Sequence, residues 1–88
     1  MKFEWDETKR RSNIQKHNVD FVDAIPIFYA DPLILEDTRF EYEDFRYWAI
    51  GIAKGIPLIV VHTYPNEQTI RIISARKATK QEQKNYFT

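Results

Sequence analysis

With 88 residues, the chain has room for one domain, residues 1–88, and a domain of that size buries only about 60–65% of its unfolded surface. Apolar residues at 43% and aromatics at 15% exclude a disordered tail, and the absence of cysteine excludes a disulfide framework, a thiolate metal site and a cysteine nucleophile. The formal net charge is zero, which counts against simple nonspecific attraction to nucleic acid.

In chain order, the pattern predicts a strand at 2–5 and a helix at 7–17. Asp6 is placed to cap that helix, Glu7 favours its first turn, Lys16 and His17 its last, and Asn18 tolerates the left-handed geometry that ends it. A second, short helix is expected over 21–28, limited by Pro26, which removes a helix hydrogen bond. Four β-rich runs follow, at 33–37, 45–53, 57–64 and 69–75. Lys54-Gly55 reads as a tight hairpin connection and Pro65-Asn66-Glu67 as the next. Thr79, with Glu82 three residues on, forms a capping box that opens a last helix over 80–86. Consecutive hairpins give an antiparallel meander, and helices before and after it make an α+β domain.

Charge is unevenly spread. Residues 1–19 carry five positive and three negative side chains, residues 20–44 one positive (Arg39) and eight negative, and residues 45–88 seven positive and two negative. A basic face assembled from the two ends could hold RNA, with the acidic middle turned elsewhere or meeting a basic partner. The charged start over 1–11 is unlike a signal peptide, and the longest apolar stretch, around 56–61, is too short to span a bilayer. The expectation is a cytoplasmic protein.

Two stretches carry the candidate chemistry. Arg71 and Arg76 bracket the apolar run Ile72-Ile73-Ser74-Ala75, and Arg76 sits where strand turns to helix. A guanidinium there can offer its rigid fork to a phosphate, or else cover a sheet edge or pair with the acids of the middle segment. In helix 7–17 the only aliphatic residue is Ile14, so its buried stripe is expected along Arg10, Ile14 and His17. Lys9, Asn13 and Lys16 then share another side as a row of donors, or form a solvated face.

The opening Phe3-Glu4-Trp5-Asp6, with Lys9, Asn13, Lys16-His17, Val19 and Phe21, resembles the start of the BrnT family, ribonuclease toxins of type II toxin-antitoxin pairs. Arg71-Ile72-Ile73-Ser74-Ala75-Arg76, then Ala78-Thr79, Glu82 and Tyr86, is similar to its ending, while Glu43 and Arg46 match an internal acidic-basic pair and Gly51 a strand glycine. The sequence departs from the pattern at Asn18, where glycine is usual, at Pro26, and at His62 in an otherwise apolar strand. The resemblance implies a RelE-like fold and a metal-independent endoribonuclease that blocks translation. It also implies a ribbon-helix-helix antitoxin of the BrnA type, with operator DNA contacted only through the complex.

Metal-free RNA cleavage needs a base near the 2′-hydroxyl, cations for the charge building on phosphorus, and an acid for the leaving 5′-oxygen. His17, Arg46, Arg71 and Arg76 are the catalytic candidates, with Lys9 and Lys16 as RNA-binding residues. Tyr47, Trp48 or Tyr86 could stack on a base or belong to the core. No cofactor is called for. A metal site built from His62, Asp31, Asp37, Glu41 and Glu43 is the weaker reading, because no ligand spacing supports it, and Glu43 with Arg46 reads better as an ion pair. The alternative to an enzyme is a RelE-like binding module that pairs with an antitoxin or nucleic acid without cleaving.

Overall fold

The structure, a computed structural model, describes residues 1–38 and 45–87. Strand β1 (Lys2–Glu4) leads into helix α1 (Glu7–His17), which starts where the Asp6 side chain accepts from Lys9 N at 3.1 Å and ends at Asn18 with φ 56°. Asp20 caps α2 (Phe21–Ala24) by accepting from Val22 N. Pro26 lacks the N–H that would continue this helix, so the chain tightens into a 3-10 turn over Ile25–Tyr29 where one helix over 21–28 was expected.

Strands β2 (Leu33–Glu36), β3 (Tyr47–Ala53), β4 (Ile56–Asn66) and β5 (Thr69–Lys77) form the expected antiparallel meander, closed by α3 (Lys80–Tyr86). Lys54 and Gly55 both adopt positive φ, 52° and 78°, which suits the right-handed twist of a two-residue hairpin. The next turn lies a residue later than expected: β4 runs on through Pro65, and Asn66 Oδ1 accepts from Gln68 N at 2.9 Å. A register shift between Thr63 and Asn66 accommodates the proline, which cannot donate to a regular ladder.

One feature goes beyond the meander. Strand β1 lies parallel to β5, pairing Lys2 with Thr69, Phe3 with Ile70 and Glu4 with Arg71, so the five-stranded sheet is mixed, in the order β1-β5-β4-β3-β2. One face packs Phe21, Ala24 and Ile27 against Val60, Ile72 and Ala75. A Cβ on Gly51 would stand 3.0 Å from Ile27 Cγ2, so glycine lets the 3-10 turn press on β3. The other face packs Ile50, Ile59 and Ala78 with Trp48, Tyr86 and Phe87 beneath α3. Among the described residues no helix is long and apolar enough to cross a membrane.

Because β1 pairs only as far as Arg71, the rest of β5 needs another partner on that edge. Helix α1 supplies it through Asn13, which is buried. Its Nδ2 donates to Ala75 O at 2.8 Å and to Val19 O at 2.9 Å, while its Oδ1 accepts from Ala75 N at 3.1 Å. The carboxamide thus takes the place of a neighbouring strand's peptide group. The expected buried stripe of α1 is corrected accordingly: Asn13 is buried, Arg10 and Ile14 are half-buried, and His17 is exposed. Arg10 is drawn to acids, its Nε and Nη2 each 2.9 Å from an Asp20 oxygen, with Glu7 as a further partner. Those hydrogen bonds raise the guanidinium's pKa and lower that of Asp20.

Asn13→Ala would leave the main-chain N–H and C=O of Ala75 and the carbonyl of Val19 buried without this partner. At about 1–3 kcal/mol per unsatisfied group, softened by relaxation, we expect a loss of about 3 kcal/mol. Urea denaturation followed by circular dichroism measures it. A midpoint unchanged from the parent chain would show that α1 is not held through this residue.

Candidate anion-binding groove

A polar groove of about 680 Å³ opens beside the register shift between Thr63 and Asn66 in the β4–β5 pairing. Among the described residues, three cations from separate parts of the chain line it: Lys9 from α1, Arg46 just before β3, and Arg71 from β5. Each position follows from the fold. Arg71 stands across from Thr63 in the β4–β5 register, and Thr63 is a groove residue too. The carbonyl of Arg46 accepts from Asp37 N at 2.8 Å, which fixes the backbone leading into β3. Lys9 lies one helical turn before Asn13, so the clamp on Ala75 carries it to the β5 side.

Arg71 is not idle: its Nε is 2.8 Å from Glu4 Oε2. Both side chains are about half-exposed, and a pair in that setting is worth about 0–1 kcal/mol. An incoming anion can therefore displace Glu4 at small cost.

The other candidate residues lie elsewhere. Lys16 and His17 are exposed at the far end of α1, about 10–12 Å along the helix axis from Lys9. Arg76 is held by Glu82 through two bonds, Nη1–Oε1 at 2.7 Å and Nη2–Oε2 at 2.9 Å, and its guanidinium lies 5.7 Å from the centre of the Trp48 ring. Among the described residues, Arg71 and Arg76 pair with Glu4 and Glu82, acids from the two ends of the chain. Glu82 also accepts from Thr79 N at 2.8 Å, while Thr79 Oγ1 accepts from Glu82 N, so the expected capping box is in place. Of the three aromatics considered for base stacking, Tyr47 lines the groove, whereas Trp48 and Tyr86 pack beneath α3.

Sequence reasoning passed over Tyr64, half-exposed on the groove wall, and its link to His62. The available signal was their spacing, since residues two apart on a strand share a face. His62 is enclosed by rings: Phe28 at 5.0 Å and Tyr47 at 6.0 Å between centroids. Burial pushes its pKa down, and burial with the neighbouring Tyr47 pushes that of Tyr64 up. Among the described residues, no group of three or more His, Cys, Asp or Glu side chains is placed to hold a metal ion. Glu41 and Glu43, and with them the suggested Glu43–Arg46 pair, lie outside the described residues.

An α+β domain with a cationic, partly aromatic groove is equipped to hold an extended anion. Residues 5–82 match the family described as ribonuclease toxin, BrnT, of type II toxin-antitoxin system. The chain belongs to that family. It is similar to the ribonuclease toxin BrnT of Brucella abortus, whose crystal structure superposes with a TM-score of 0.74 at 33% identity, covering 91% of this chain and 99% of that one. No curated protein sequence matches. Membership in a type II toxin-antitoxin family implies an antitoxin as partner.

The Arg76–Glu82 pair sets an acid limit on α3. Arg76 above all, with help from Thr79, holds the Glu82 carboxyl down at about 2 against an ordinary 4.5. A depressed folded-state pKa stabilises above the unfolded value, and that contribution is lost as pH falls from about 4.5 towards 2. Thermal melts of the parent chain and Glu82→Gln should therefore differ most above pH 4.5 and converge near pH 2. A constant difference across that range would sink the assignment.

Proposed function

We propose that this chain is a metal-independent endoribonuclease toxin that cuts RNA, inhibits translation and acts in the cytoplasm as one domain. The observation that supports this best is the convergence of Lys9, Arg46 and Arg71 on one groove, from segments as far apart as α1 and β5. Two guanidinium forks beside an ammonium suit a scissile phosphate, whose oxygens gain charge as phosphorus becomes pentavalent.

In the reaction we propose, the 2′-oxygen attacks phosphorus and the bond from phosphorus to the 5′-oxygen breaks. The products are a 2′,3′-cyclic phosphate and a 5′-hydroxyl. The 2′-proton passes to a base and the 5′-oxygen receives one, for which Lys9 is the groove's own donor. Arg46 and Arg71 stay cationic and stabilise charge without exchanging protons. Lys16 and His17 serve nucleotides flanking the cut, since a strand following α1 meets them about 10 Å beyond Lys9. Arg76 contributes chiefly by holding α3 and reaches RNA only where Glu82 yields. The partner is a ribbon-helix-helix antitoxin of the BrnA type, and operator DNA is met through the complex of the two.

Expression of the chain alone is expected to arrest bacterial growth, with relief by the cognate antitoxin. Arg71→Ala should lower RNA cleavage by the purified protein about a hundredfold, the usual effect of removing one donor aimed at transition-state charge, with an unchanged melting temperature. Arg76→Ala should instead melt earlier and keep much of its rate per folded molecule. Added EDTA should leave cleavage intact. Full cleavage by Arg71→Ala would remove the groove from the mechanism, and soluble, folded protein without effect on growth or RNA would favour a binding module.

A further inference from the structure

Thr63 has no part in the reaction just described, yet it stands between the two arginines of the groove. In β4, His62 turns its ring to Phe28, and its Nε2 lies 3.0 Å from the Tyr64 hydroxyl, so both rings share one face of the sheet. Side chains alternate along a strand, and Thr63 therefore turns to the opposite face. On one side its register partner is Arg71 of β5. On the other, β3 pairs Trp48 with Val61 and Tyr47 with His62, which brings Arg46 beside Thr63 one step further on. The backbone keeps to the ladder that far, since the Arg46 carbonyl accepts from Asp37 N. Arg46, Thr63 and Arg71 thus form a row across three neighbouring strands, with about 5 Å from one Cβ to the next, and all three line the groove.

Thr63 is only 8% exposed, so it forms the floor of the groove while the longer arginines rise on either side. Among the described residues its hydroxyl has no hydrogen-bond partner. Ile59 and Val61 precede it on this face, and a hydroxyl interrupts that aliphatic series where the groove opens. Guanidinium groups can only donate, so neither flanking arginine can take the threonine's hydrogen. An acceptor lodged between them can. A phosphodiester carries two non-bridging oxygens and one negative charge, and both arginines draw it to this place. We propose that Thr63 is a third ligand of the RNA phosphate, its hydroxyl donating to a non-bridging oxygen held between Arg46 and Arg71. The hydroxyl keeps its proton throughout: it seats the phosphate and adds to the donors facing the charge that builds on those oxygens. The assignment rests on the reading of the groove as an RNA site.

The test measures, on the full chain, cleavage of a single-stranded RNA and fluorescence anisotropy with a 2′-fluoro strand of the same sequence. The second strand lacks the 2′-hydroxyl nucleophile, so its binding is read without cleavage. Thr63→Val keeps the branched shape and removes the hydroxyl. It should weaken binding and lower the cleavage rate per folded molecule by roughly ten- to hundredfold, the range for one hydrogen bond to a charged group, with the melting temperature little changed. Thr63→Ser, which returns the hydroxyl, should recover most of the loss. Salt separates this contact from a charge effect: the slope of log affinity against log salt should stay as in the parent for Thr63→Val, whereas Arg71→Ala should flatten it by about 0.7. Combining Thr63→Val with Arg71→Ala should cost less than the product of the two single losses, because both side chains hold one phosphate. Should Thr63→Val not fold, Thr63→Ala, also without the hydroxyl, carries the test. Equality of Thr63→Val with the parent, equal losses in the valine and serine variants, or fully multiplicative losses in the double variant each overturn the proposal and leave the RNA reading standing. If the parent chain neither binds nor cuts, or Arg71→Ala binds as tightly as the parent, the groove reading fails and the proposal falls with it.

Discussion

Much of the arrangement depends on a single side-chain amide. A sheet edge exposes alternating donors and acceptors that must be met by something, and β1 is too short to cover β5 beyond Arg71. Asn13 meets the Ala75 peptide on both counts and reaches the Val19 carbonyl as well. One residue therefore joins α1, the turn into α2 and the edge of the sheet. The Arg10–Asp20 pair braces the same corner from another side. Lys9 becomes a groove residue because α1 is fixed in this way; on a helix free to slide along β5 its ammonium would have no assigned place.

Electrostatics explains how a chain of zero net charge can present a cationic site. Arg10, Arg71 and Arg76 all have carboxylate partners, Asp20, Glu4 and Glu82. What separates them is how firmly the partner is held. Arg76 and Glu82 are the least exposed of these pairs, joined by two bonds, and Glu82 is engaged by Thr79 as well. Breaking that arrangement would strand a charge and open the end of α3. Arg71 and Glu4 are joined through one nitrogen with both side chains about half in water, so the exchange of carboxylate for phosphate costs little. Of the two strand arginines, the one in the groove is the one available.

What the sequence made legible is what is encoded locally. Asp6, Asn18, Lys54-Gly55 and the Thr79/Glu82 box act within a few residues, and each helix end or hairpin they predicted stands where they placed it, within a residue or so. The parallel docking of β1 was not legible, because a three-residue strand carries no mark of direction. Asn13 misled for a related reason. The side of α1 bearing Lys9, Asn13 and Lys16 does face β5 at its middle, but a polar residue in a polar helix reads as solvated until the peptide it satisfies, 62 residues away, is in view. The same distance argument hid Glu4 from Arg71, and only Glu82, six residues from Arg76, lay close enough to suspect.

The two histidines show why composition is a poor guide to proton chemistry. His17 was expected among the catalytic residues, yet it is exposed at a helix end, away from the groove. His62 was read as a departure and a weak metal candidate. It lies buried against Phe28, Tyr47 and Tyr64, where burial pushes its pKa down. Neither therefore supplies a switchable charge inside the groove. Guanidinium groups keep their charge throughout the range in which proteins stay folded, so the arginine contribution to phosphate binding does not titrate there. Any pH dependence of cleavage around neutrality must then arise in proton transfer to or from the sugar oxygens, and not in the capture of the phosphate by Arg46 and Arg71.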